Sequence, residues 1–128
     1  MKFKYTIMYV PDVAKTLAFY EQAFGLEQAF LHESGDYGEL STGNTKLAFS
    51  SLALMTSLGK HPSSGNPASP NFEIAFETDD VAGNLAKALE AGAELVEDVS
   101  EMPWGQTISY VRDLNGYLVE ICSPVAGL

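Results

Sequence analysis

One short grammar occurs twice in this chain, and it constrains the fold more than any other feature. A β-rich run stops at an aspartate, an apolar stripe at helical spacing follows, and a glycine closes it. In the first copy the run is Lys4 to Val10, the stop is Pro11-Asp12, the stripe is Val13, Leu17, Tyr20 and Phe24, and the close is Gly25. In the second, Phe72 to Thr78 leads to Asp79-Asp80, then to Val81, Leu85, Ala88 and Leu89, and then to Gly92. Each sign has its cause. An aspartate just outside a helix accepts a hydrogen bond from the first turn, residues three and four apart share one helix face, and glycine takes the left-handed conformation that ends a helix.

Two further strand patterns follow in each copy. Tyr37 to Ser41 and Thr45 to Ser51 are joined by Thr42-Gly43-Asn44, and Gln106 to Arg112 and Tyr117 to Cys122 by Asp113-Leu114-Asn115-Gly116. Both connections carry the residues that tight reversals need. Module one therefore covers about residues 1–51 and module two about 72–128. The stretch between them, 52–71, is too rich in Pro, Gly and Ser for a regular element, except that Leu52 to Leu58 is apolar enough for a short helix or a lid. With 128 residues in all, the chain has the length of one domain whose halves share the work of building a core.

Composition removes several function classes. Seventeen acidic residues against seven basic ones give a net charge of −10, which repels a phosphate backbone and an anionic membrane, so neither nucleic acid nor membrane is an expected partner. The same charge favours a cationic ligand, or serves only solubility. Cys122 is the single cysteine, so no internal disulfide and no thiolate cluster can form. The N-terminus lacks the zones of a signal peptide, and a cytoplasmic location is expected. Glycine-rich phosphate loops and a Gly-x-Ser-x-Gly elbow are also lacking.

Four stretches, taken in order, resemble the vicinal oxygen chelate superfamily, the group of glyoxalases, bleomycin-resistance proteins and extradiol dioxygenases. They are Tyr9-Val10-Pro11-Asp12-Val13 through Ala18-Phe19-Tyr20, Phe24-Gly25-Leu26, Leu89-Glu90-Ala91-Gly92-Ala93, and Met102-Pro103-Trp104-Gly105 through Asp113-Leu114-Asn115-Gly116-Tyr117-Leu118-Val119-Glu120. The resemblance implies an α+β fold of tandem βαβββ modules whose two curved mixed sheets form a cup around one small-molecule ligand, and a homodimer.

It also implies where a metal would sit: on the first strand of each module and on the last strand. Counted back from the two Asp caps, those positions fall on Tyr5 and Glu73, with Glu120 on the last strand and Ala48 at the fourth place. A phenol and a methyl group thus stand where imidazole or carboxylate is usual. Glu73 and Glu120 are the candidate metal ligands, suited to a hard cation such as Mg²⁺ or Mn²⁺ and poorly to Zn²⁺ or Fe²⁺, with Mg²⁺, Mn²⁺, Ni²⁺ and Zn²⁺ the ions to be tried. His32, in an expected second strand, and His61, in the linker, are both read as surface residues, though a closing lid would carry His61 inward.

Pro103-Trp104-Gly105 resembles a motif of the bleomycin-binding branch, in which an aromatic ring lies against a planar ligand. Trp104, the only tryptophan, either stacks on such a ligand or plugs the end of the cup. Phe49 and Tyr110 are further candidate ligand contacts, or core. Two functions remain open. The first is a metal-free binding protein for a planar or cationic molecule contacting Tyr5, Phe49, Glu73, Trp104, Tyr110 and Glu120, with no cofactor. The second is an enzyme of the glyoxalase or dioxygenase type with a divalent cation on Glu73 and Glu120, Tyr5 assisting proton transfer.

Overall fold

Both aspartates cap helices. Asp12 Oδ1 accepts from the Lys15 amide at 3.0 Å and Asp80 Oδ1 from the Gly83 amide at 2.9 Å. These caps start α1 (Val13–Phe24) and α3 (Val81–Glu90) in a computed structural model that describes residues 1–125. Gly25, at φ 69°, ends α1 with its amide on the Glu21 carbonyl, as its position in the sequence demands.

The chain divides into two compact units, Met1–Gly65 and the part from Asn66 onward. In the first, β1 (Tyr5–Val10), β2 (Gln28–Leu31), β3 (Tyr37–Leu40) and β4 (Lys46–Ser51) form one sheet in the order β1-β4-β3-β2. In the second, β5 (Ile74–Glu77), β6 (Glu94–Glu101), β7 (Thr107–Arg112) and β8 (Leu118–Cys122) repeat that order as β5-β8-β7-β6. Each sheet is mixed: the first strand pairs in parallel with the last, and the other pairs are antiparallel. The fold is thus the α+β arrangement of two βαβββ modules.

The register makes the repetition quantitative. Ala48 lies between Ile7 and Glu39 in the first sheet, and Glu120 between Ala75 and Tyr110 in the second. Ala48 and Glu120 are therefore structural counterparts, and so are Glu39 and Tyr110.

Each sheet has one face against its helix and one turned away. Because side chains alternate along a strand, Met8, Val10, Leu40 and Phe49 share the helix side of the first sheet, where Val13, Leu17 and Tyr20 of α1 bury them. Gly38 lets the helix come close: a Cβ there would stand 2.6 Å from Leu17 Cδ1. In the second unit Val111, Val119 and Ile121 meet Val81, Leu85 and Ala88 of α3 in the same way.

Several elements differ from the sequence reading. β2 ends at Leu31, so His32 lies in the turn, its Nδ1 2.8 Å from Ser34 Oγ. β5 begins at Ile74, which leaves Glu73 just ahead of the strand. β6 is an acidic eight-residue strand interrupted by two register shifts, and it carries little of the apolar alternation from which strands are read. Leu52–Ser57 does form a short helix, α2, capped by Ser51 and burying none of its residues. His61 is exposed in the linker at φ 50°. No helix among the described residues is long and apolar enough to cross a membrane.

Candidate functional site

The face of the second sheet that points away from α3 gathers the acidic groups. One cross-strand row runs Ala75, Glu120, Tyr110, Glu97. Alternation places Glu77 and Cys122 on the same side. At the centre, the Tyr110 hydroxyl donates to Glu73 Oε2 at 3.0 Å, with Oε1 at 3.4 Å, across 37 residues of chain. Glu120 is its neighbour on β8. The base next to this cluster is already engaged: Arg112 donates from Nη1 to Glu94 at 3.1 Å and from Nε to the Pro67 carbonyl at 3.3 Å.

Burial first, then the hydrogen bond to Glu73 and the nearby charges of Glu120 and Glu73, hold the Tyr110 phenol far above its ordinary pKa. The first sheet has a matching pair. Tyr37 donates to Glu39 Oε2 at 2.8 Å, and burial, that bond and the Glu39 charge raise its phenol as well. Both rings are therefore neutral donors throughout the neutral range. Cys122 is pushed up in turn by burial and by Glu120 and Glu77, and its Sγ lies 3.6 Å from the Phe76 carbonyl, so it is a protonated, unreactive thiol.

The two phenols make stability fall in alkali. A phenol whose folded pKa exceeds its unfolded value supports the fold fully below the unfolded value and loses that support as pH rises toward the folded one. Above about pH 10 each ring removes stability with every further rise in pH, by less than the limiting ~1.4 kcal/mol per pH unit because both phenols are partly solvated. Urea unfolding midpoints from pH 9 to 11 should drop accordingly, and Tyr37→Phe and Tyr110→Phe should each flatten the slope.

Trp104 lies in the turn between β6 and β7 and is 59% exposed, so it does not plug a core. Its Nε1–H donates to Gln106 Oε1 at 2.9 Å. Tyr5 is 45% exposed on β1 of the other unit. Phe49 is the exception among the candidates. Its ring is fully buried, 5.1 Å from that of Tyr20, on the side of the sheet that α1 covers. It is core and faces away from any ligand on the open side. Of the six candidates, the second unit brings Glu73, Glu120 and Tyr110 together and sets Trp104 at the end of the same sheet. Sequence reading missed Glu77, Gln106 and the Tyr37–Glu39 pair. The one signal for Gln106 was its place two residues after the lone tryptophan.

These donors fit a transition metal poorly. Among the described residues no three His, Cys, Asp or Glu side chains form a group that could hold a metal ion. The Glu73 carboxylate already accepts from a neutral phenol, and the second unit contains no histidine.

The family model of the glyoxalase-like domain matches residues 3–126, nearly the whole chain. The chain belongs to the glyoxalase-like domain family. None of the curated proteins matches it in sequence. Solved structures similar to this glyoxalase-like domain include a glyoxalase-related enzyme from Fulvimarina pelagi, with TM-score 0.81 and 20% identity over 96% of this chain and 88% of that one. A glyoxalase/bleomycin resistance protein/dioxygenase family enzyme from Burkholderia phytofirmans PsJN gives TM-score 0.82 and 21% identity over 96% and 98%. TioX from Micromonospora sp. ML1 gives 0.73 and 19% over 96% and 98%. At such identities the likeness establishes the fold that the glyoxalase-like domain shares with them.

Proposed function

We propose that this glyoxalase-like domain is a binding protein of the bleomycin-resistance type, holding a flat cationic small molecule on the acidic face of its second sheet without a metal. The observation that carries the reading is the Tyr110–Glu73 hydrogen bond beside Glu120, with Arg112 drawn aside by Glu94. A face so arranged offers carboxylate oxygens and negative charge, and the base beside it is held on Glu94, which suits a positively charged, donor-rich ligand. Trp104 adds a broad exposed ring at the end of that sheet, and a ring of this kind attracts flat and cationic partners.

The test uses 1-methylquinolinium, a flat cation, with uncharged quinoline as its partner probe. The cation should quench Trp104 fluorescence and bind more tightly than quinoline, and Trp104→Ala should weaken it by about 1 to 3 kcal/mol, as expected for loss of an aromatic anchor. Equal affinity for the two probes would refute the reading. So would stoichiometric metal in protein purified without chelator and lost in Glu120→Gln, which would favour an enzyme that uses the cation as a Lewis acid.

A further inference from the structure

We infer that Gln106 is a positioning residue that holds the Trp104 ring in place before any ligand arrives, so that the ligand is met by the face of the ring and not by its N–H. The inference rests on the stacking role proposed above for Trp104.

The turn that carries the ring is itself fixed. The Met102 amide donates to the Gln106 carbonyl at 2.8 Å and the Gly105 amide to the Met102 carbonyl at 2.9 Å. Gly105 stands at φ 88°, in the region that favours glycine. A fixed turn does not by itself order a side chain, and an exposed tryptophan on a hairpin would ordinarily sample several rotamers.

Here the ring is tethered. The indole Nε1–H donates to Gln106 Oε1 at 2.9 Å, and Gln106 Nε2 donates to the Ser123 carbonyl at 2.9 Å. Ser123 is held from both sides, since its Oγ accepts from the Thr107 amide at 2.8 Å and its own amide donates to the Thr107 carbonyl at 2.8 Å. The chain of bonds thus runs from the exposed ring to the residue that follows β8, the strand bearing Glu120.

Two consequences follow. The ring is ordered in the free protein, so binding loses less conformational freedom than it would with a loose tryptophan. The only polar donor of the indole is also used inside the protein. A ligand gains nothing at Trp104 from a hydrogen-bond acceptor and much from a flat or positively charged surface.

Because the chain has a single tryptophan, ring order can be read directly. In ligand-free protein, time-resolved anisotropy should show the indole tumbling with the whole molecule, and the ¹⁵N-labelled indole N–H should exchange slowly with solvent. A dominant sub-nanosecond component in the wild type would overturn the inference without any variant. In Gln106→Met, which keeps length and removes both polar atoms, the fast component should appear, exchange should speed up, and 1-methylquinolinium should bind about three- to tenfold more weakly. Placed in a Trp104→Ala background, the same substitution should change nothing further. Unchanged ring order or unchanged probe affinity in Gln106→Met would reject the role. If Trp104→Ala itself binds the probe normally, the stacking proposal fails, while the anisotropy still judges the tether separately.

Discussion

Phe49→Ala is expected to lower the stability of the protein by about 3 to 5 kcal/mol while leaving its affinity for 1-methylquinolinium unchanged. The ring is fully buried and lies 5.1 Å from Tyr20, which in turn packs on Phe19 and Phe24 within α1. Truncation would open a cavity between helix and sheet that neither can readily collapse to fill. Natural domains have about 5 to 15 kcal/mol in total, so the loss is a large part of what holds the fold. Urea unfolding at 25 °C reads the first half of this expectation, and titration of the still-folded variant reads the second. A parallel fall in affinity would return Phe49 to the binding surface.

Phe49 also marks where sequence reading reached its limit. Alternation along β4 means that Ala48 and Phe49 cannot face the same side. Once Ala48 is taken as the counterpart of a site position, Phe49 must point to the helix, and that step was available from the sequence. The elements themselves were legible because their signals are local. Asp12, Asp80 and Gly25 each act within one turn of chain, and the apolar stripes of α1 and α3 need no knowledge of what they pack against.

The centre of the candidate site was legible only in part. Glu73 and Glu120 could be placed by counting from the caps. Their meeting around Tyr110 depends on the pairing of β7 with β8 and on Glu73 lying just before β5, and no local pattern encodes either. β6 was hard to delimit for a related reason. Its Glu94, Glu97, Asp98 and Glu101 break the apolar alternation, and its two register shifts break the period itself. The Trp104–Gln106 tether spans two residues, but its anchor on Ser123 lies seventeen further along.

Removing both carboxylates should affect ligand binding more than any other change to the open face. Glu73 is exposed and Glu120 half-buried, so a cation between them is partly hydrated, and the expected loss lies near the lower end of what truncating a buried charge pair costs. For Glu73→Gln/Glu120→Gln that is about 2 to 3 kcal/mol, or a roughly 30- to 150-fold weaker 1-methylquinolinium complex, with quinoline unaffected. Glu120→Gln alone should account for most of it, because its charge is the less screened. The same double variant removes the negative charges that help raise the Tyr110 phenol, so spectrophotometric titration should find that phenol ionising at lower pH than in the wild type. The two readouts separate the possible failures. A lowered phenol with unchanged cation affinity would leave the local electrostatics as described and remove the ligand from this face. An unmoved phenol would mean that burial alone, the largest of its causes, sets its behaviour.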